Sequence, residues 1–196
     1  MAYAFDPDKI VIDDHTVPDA MKKHPEYLRR RQDIKNVLHL PNALEKFCTH
    51  EAGHLIYLKR AGLPDPEFFG PTITYDGRNF DHCTIGVKPP DMKNSPGYFS
   101  GRFMIKLARV AVAGGVFSEE LLHCSKEENG DSVDWDLFVE YCKNAQRHDT
   151  GRSYNPDKRW RKARAQVKKD LDTQVITGNE IQSAKEEIKR KCFYSR

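Results

Sequence analysis

The sequence predicts a mainly α fold with one small β-hairpin, and three observations carry that expectation. Apolar residues recur at helical spacing through several long segments, each bounded by capping or breaking residues. Strand character is confined to residues 72 to 88, where two β-branched runs flank an Asp-Gly-Arg-Asn turn. With 196 residues, 38% of them hydrophobic, the chain suits one compact domain with a single sizeable core.

Residues 1 to 41 read as an irregular N-terminal arm broken by Pro18 and Pro25. It holds one short helix, "PEYLRRRQDIKNVL", which Pro41 closes. The domain proper is expected over residues 42 to 196 and opens with "NALEKFCTHEAGHLIYLKRAG". Here Asn42 is the expected cap, with Glu45 reaching back as in a capping box, and Gly62 followed by Pro64 is the stop. After the hairpin and a Pro/Gly-rich loop, "KPPDMKNSPGYFSG", comes a second apolar helix, "RFMIKLARVAVAGGVFSEELLH". The polar loop "CSKEENGDS" separates it from a third, "VDWDLFVEYCKNAQ", which begins at Val133. Beyond the linker "RHDTGRSYNPD" lies a long charged helix from Lys158 to Val175, then a last one from Thr177 to Lys191.

Composition excludes several classes. No apolar run approaches the length of about 18 residues that a membrane helix needs; the longest candidate is "VAVAGGVF". The N-terminus "MAYAFDPDKIVIDDH" carries acids where a secretory signal carries lysines, so a cytoplasmic location without membrane contact is expected. Cys48, Cys83, Cys124, Cys142 and Cys192 are scattered and form no C-x-x-C pair, which points to reduced, mostly buried thiols. A basic run, "KRWRKARAQVKK" (Lys158 to Lys169), contains Trp160 and invites a nucleic-acid reading. The net charge of +3 and the acids that follow the run favour a solvated helix instead.

The chemistry centres on "THEAGH", residues 49 to 54. On a helix, His50 and His54 project from one face one turn apart, where two imidazoles can hold one tetrahedral ion at about 2.0–2.1 Å. Glu51 stays beside the open position, placed to take a proton from an attacking water. Chance placement at this chain's own residue frequencies gives about two such matches per hundred chains, so the spacing is informative. Gly53, costly by about 0.5–1 kcal/mol inside a helix, suggests that another element or a substrate approaches closely.

A catalytic zinc site needs a third protein ligand. Glu67, His82, Glu119, Glu120, His123, Asp131, Asp134 and Asp136 are the candidates downstream. Asp134 and Asp136 differ by roughly 200° around a helix, so at most one of them faces the metal. Asp134 shares its face with Phe138 and Tyr141 and is favoured over Asp136. Glu119 and Glu120 could orient a ligand histidine, although an acid pair in a helix is more often solvated or capping. His82 and His123 read as surface or loop residues.

At this point the chain resembles the peptidase domain of FtsH-type ATP-dependent zinc metalloproteases. "HEAGH" (His50 to His54) is similar to that family's form of the zinc motif. "AGGVFSEEL" (Ala113 to Leu121) resembles its Gly-Gly-x-x-x-Glu-Glu-Leu segment, and "NGDSVDW" (Asn129 to Trp135) its Thr-Gly-x-x-Asn-Asp-Leu segment. The last Asp of that segment is the family's third zinc ligand, and the resemblance places it on Asp134. Val133 and Trp135 depart from the family's Asn and Leu, and the arm has no counterpart in it. The chain contains no G-x-x-x-x-G-K-[ST] phosphate loop and no membrane segment.

The resemblance therefore implies a soluble zinc metallopeptidase with zinc (Zn2+) on His50, His54 and Asp134 and with Glu51 as base. Its expected substrates are peptides or unfolded protein segments, with or without a separate ATPase as unfoldase. The alternative is a catalytically inactive, zinc-stabilised binding or regulatory domain of the same fold. A nucleic-acid partner is the weakest of the three expectations.

Overall fold

The structure is a computed structural model that describes residues 6–63, 65–89, 101–125, 131–148 and 153–194. Most of the Pro/Gly-rich loop, Gly130, and parts of the two polar linkers lie outside these residues. The fold is mainly α. Helix α1 spans Pro25–Leu38, α2 Ala43–Ala61, α3 Gly101–Leu122, α4 Asp131–His148, α5 Pro156–Asp172 and α6 Gly178–Lys189, the last running into a π-helical turn over Arg190–Tyr194. The expected hairpin forms as β2 (Thr72–Tyr75) against β3 (Phe80–Cys83), with Tyr75 opposite Phe80 across the Asp76–Asn79 turn. A second antiparallel pair was not anticipated: β1 (Glu67–Phe69) meets β4 (Gly86–Lys88). Three residues beside prolines are too short to register as a strand in sequence.

Helix α2 is the centre. From Cys48 to Leu58 only His50 is not fully buried, and a helix buried on nearly all sides must be packed over by several elements. Its neighbours are α3, α6 and β4. Helix α3 packs in turn on α4 and α5, so the core holds Leu55, Val112, Phe117, Phe138 and Val167 at almost no exposure. A smaller core joins the arm to the hairpin: Ile12, Val17, Tyr27 and Ile34 pack with Ile73 and Phe80. Backbone bonds tie the two together, since Asp13 N–H donates to the Pro71 carbonyl and Ile73 N–H donates to that of Asp13, both at 2.8 Å.

The ends of α2 show one expectation met and one corrected. Gly62 follows the helix at φ 66°, and its N–H and that of Leu63 reach back to the carbonyls of Lys59 and Leu58. The capping box at the other end does not form. Asn42 sits in the left-handed region at φ 59° and its side chain makes no capping bond. Glu45 instead pairs with Lys185 of α6. A charged partner from a packed helix outcompetes a local backbone bond, and asparagine is among the few residues that tolerate the left-handed turn at this corner. The caps of α5 and α6 are conventional: Asn155 Oδ1 accepts from Lys158 N at 2.8 Å, and Thr177 Oγ1 from Glu180 N at 3.2 Å.

All five cysteines are free thiols, with Cys48, Cys142 and Cys192 buried. Burial pushes the Cys48 thiol up to about 12 and that of Cys142 up to about 11, so both behave as small apolar groups. No helix among the described residues is long and apolar enough to cross a membrane.

Candidate metal centre

The site is made possible by two glycines. A Cβ on Gly53 would stand 2.5 Å from the Ala113 carbonyl oxygen and 2.9 Å from the Gly114 nitrogen, so only glycine lets the α2 and α3 backbones approach this closely. That is the close neighbour its mid-helix position called for. A Cβ on Gly114 would stand 2.5 Å from His50 Nε2 and closer still to His54 Nε2. The missing side chain of Gly114 therefore lets both imidazoles lie directly against the α3 backbone.

Three ligand-type atoms come together next to the imidazoles that Gly114 admits. His50 Nε2 and His54 Nε2 lie 3.0 Å apart. Asp134 Oδ2, from the first turn of α4, lies 3.3 Å from the former and 3.2 Å from the latter. A tetrahedral ion held at about 2.0–2.1 Å requires ligand atoms about 3.3–3.4 Å apart. The observed triangle matches this to within a few tenths of an ångström. His50, Glu51 and His54 likewise form a group able to hold a metal ion, with one ligand atom of each within 4.8 Å of the others.

The hydrogen bonds define the donor and acceptor character of these atoms. His54 Nδ1 is 2.8 Å from the Val110 carbonyl oxygen, which can only accept, so Nδ1 carries the proton and donates. In the neutral ring, Nε2 then turns a lone pair toward the centre. His50 Nδ1 is oriented by Ser118 Oγ at 3.4 Å, from a buried serine of α3. Asp134 Oδ2 is buried and accepts no hydrogen bond of good geometry, although both Nε2 atoms are within ion-pair reach. The three atoms thus form a close triangle in which the two Nε2 atoms also meet each other at hydrogen-bond distance.

Electrostatics point the same way. Burial opposes charge on His54, but the Asp134 carboxylate outweighs it and raises the imidazole above the usual histidine value. Burial likewise opposes charge on Asp134, and the His54 and His50 imidazoles hold its carboxyl well below the usual carboxylate range. The centre thus demands positive charge, from a proton or from a metal. Glu51 is 8% exposed; burial raises its carboxyl, and its Oε2 accepts a 2.7 Å bond from Val87 N–H of β4. It faces a cleft of about 260 Å³ that also reaches His54 and Asp134 and is walled by Phe69, Val110 and Leu137. Exposed Val133 and Leu137, one turn apart on α4, extend that apolar wall to the surface.

The other acids and histidines considered as ligands have different surroundings. Glu67 pairs with Lys88 at 3.2 Å across the β1–β4 ladder, and His82 lies 3.4 Å from the Arg30 guanidinium. His123 and Asp136 are exposed, and the Asp131 side chain lies outside the described residues. Glu119 and Glu120 do not take the part of histidine orienters: they reach Arg164 and Lys168 of α5, while Val110 and Ser118 hold the imidazoles. Sequence reasoning missed Gly114, Ser118, Val110 and Val87. Only the first had a signal, since adjacent glycines inside an apolar helix cost about 0.5–1 kcal/mol each and call for a close neighbour.

The basic run of α5 is also divided by packing. Trp160 is 9% exposed and meets Trp135 edge-on, with ring centroids 5.2 Å apart, so its face is not offered for base stacking. Comparison with protein families, with curated proteins and with solved structures yields no match for this chain.

Proposed function

We propose that this chain is a zinc-dependent metallopeptidase, similar in its site to the peptidase domain of FtsH-type proteases. The observation that carries the reading is the triangle of His50 Nε2, His54 Nε2 and Asp134 Oδ2, 3.0 to 3.3 Å on a side, beside the buried Glu51. Two imidazoles and one carboxylate suit zinc, and three protein ligands leave a tetrahedral ion one open position. Zinc in this position would supply Lewis acidity, polarising a peptide carbonyl and lowering the pKa of a water.

The chain's own residues do the rest. His50 and His54 would be the imidazole ligands, with the Val110 carbonyl holding His54 in one tautomer and Ser118 Oγ lying against His50 Nδ1. Glu51 accepts a proton from the attacking water on one carboxylate oxygen and returns it to the leaving amine nitrogen, so that no acyl-enzyme forms. Val87 N–H holds the other carboxylate oxygen in place. The apolar walls of Phe69, Val110 and Leu137 exclude water and seat an uncharged side chain of a peptide or an unfolded segment. A separate ATPase is the proposed source of unfolded substrate where the target is a folded protein.

A second reading, a zinc-stabilised binding or regulatory domain without turnover, is favoured by one observation. The Glu51 carboxylate already serves a structural bond to β4. Glu51→Gln separates the two readings, because the amide oxygen can still accept from Val87. The peptidase reading expects zinc and fold retained while hydrolysis of an unfolded protein such as casein falls by about 10²–10⁴. Undiminished hydrolysis with zinc bound would sink the mechanism.

A further inference from the structure

Several cations of this protein are paired with acids on neighbouring helices. Arg60 pairs with Glu180, Lys59 with Glu187, Lys185 with Glu45, Arg164 with Glu119 and Lys168 with Glu120. One group differs. Arg109 of α3 and Lys158, Arg159 and Lys162 of α5 line a groove of about 430 Å³ between the two helices. Among the described residues, none of these four has a carboxylate within ion-pair distance. Among the described residues, no acid lines the groove. Asp170, further along α5, is already engaged by Tyr57 and Gln166, and Asp157 lines the adjoining depression beside Trp160.

The arrangement costs stability without a ligand. Lys158 and Lys162 stand four apart on α5, and Arg159 and Lys162 three apart, spacings at which like charges repel. The groove is also partly organised in advance. The Arg159 guanidinium lies over the Tyr154 ring at 4.8 Å, which fixes one planar donor fork against the wall. Ile105, 49% exposed, and the buried Ala163 give the groove an apolar floor. Its volume falls within the range of about 300–1,000 Å³ typical of small-molecule sites.

We propose that this groove binds a small polyanion bearing adjacent phosphate groups. Three cations within about one turn of α5, joined across the groove by Arg109 of α3, match charges carried on neighbouring phosphorus atoms. The carboxylates of an extended acidic peptide alternate sides and lie further apart. The shared chemistry could come from free polyphosphate or from the phosphate tail of a nucleotide. The groove does not depend on the metal centre, and its test is independent of the peptidase reading.

The test is calorimetric titration of the full chain with sodium tripolyphosphate and, separately, with ATP. Both are repeated in an Asp134→Ala background so that chelation at the metal centre cannot contribute. The expected result is saturable one-to-one binding that weakens as salt rises from about 50 to about 300 mM. Arg159→Glu with Lys162→Glu should lower affinity at least about tenfold through lost charge-assisted bonds. Lys9→Glu with Lys23→Glu, the same charge change on the N-terminal arm, should leave affinity unchanged. Equal affinity for the two ligands assigns binding to the phosphates alone, and tighter ATP binding assigns a nucleotide. Absence of saturable binding, or an equal loss with the arm variant, would overturn the proposal. So would tighter binding of a single-stranded oligonucleotide or of poly-glutamate than of tripolyphosphate. If the reversed-charge variant does not fold by circular dichroism, Arg159→Gln with Lys162→Gln replaces it under the same criteria.

Discussion

Replacing Gly114 by alanine puts a methyl carbon against both ligand imidazoles. The added Cβ would be 2.5 Å from His50 Nε2 and 2.7 Å from its Cε1, about 1 Å inside ordinary van der Waals contact. Neither ring can swing away without loss, because His54 is tied to the Val110 carbonyl and His50 packs beside Ser118. In the metal-free protein two effects oppose each other. Alanine gains about 0.8–1 kcal/mol of helix propensity over glycine, while overpacking costs about 1–3 kcal/mol. The stripped variant should therefore be less stable than stripped wild type by no more than about 2 kcal/mol, and it should fold. The large effect lies in the metal. Wild type with zinc at about 1,000 times its dissociation constant gains about 4 kcal/mol of stability, and Gly114→Ala should gain none. Elemental analysis after gel filtration, with thermal melts plus and minus zinc, measures both quantities. Stoichiometric zinc and a full zinc-dependent rise in melting temperature in Gly114→Ala would refute the geometry on which the site rests.

Three further expectations follow from the same contacts. Asp134→Ala should abolish stoichiometric metal binding and Asp136→Ala should not, as read by elemental analysis of the two purified variants; loss with both, or with neither, contradicts the assignment. Ser118→Ala should weaken zinc affinity by about tenfold in competition with a chromogenic chelator while leaving the fold intact, since it frees only the outer nitrogen of His50. In chelator, pH dependence has a definite sign. Asp134 is depressed on folding, so its stabilisation is present above 3.8 and fades as pH falls; His54 is raised, so its stabilisation is full below 6.5 and fades as pH rises. Stripped protein should thus melt highest between those values, and a melting temperature that climbs steadily above pH 6.5 would be inconsistent with the pair.

Much of this architecture is legible in residue order, and the failures have physical causes. The helices are bounded by residues whose chemistry acts locally: Pro25 opens α1, Gly62 closes α2, and Asn155 and Thr177 cap α5 and α6. The capping box at Asn42 was misjudged because Glu45 answers to Lys185, 140 positions away, and no local rule sees that charge. The β1–β4 pair was missed because each strand is three residues long and exists only through the other. At the candidate site, His50 and His54 could be named because helical faces follow from counting, which also favours Asp134 over Asp136, while the family resemblance is what puts the third ligand on Asp134. The groups that aim them could not. The Val110 carbonyl and the Val87 N–H are backbone atoms that every residue possesses, and only packing makes them particular.

The order of the ligands along the chain has a consequence for how the centre is assembled. His50 and His54 leave the ribosome about 80 residues before Asp134 and well over a hundred before Lys185, which braces the start of their helix. At about 5–20 residues per second, the two imidazoles stay for several seconds without the carboxylate that completes their charge balance. An ion captured in that interval would be held by two neutral ligands and readily lost. On the proposed metal reading, durable loading would wait until Asp134 and Lys185 have been synthesised, and the supply of metal would be a matter of timing as well as of affinity.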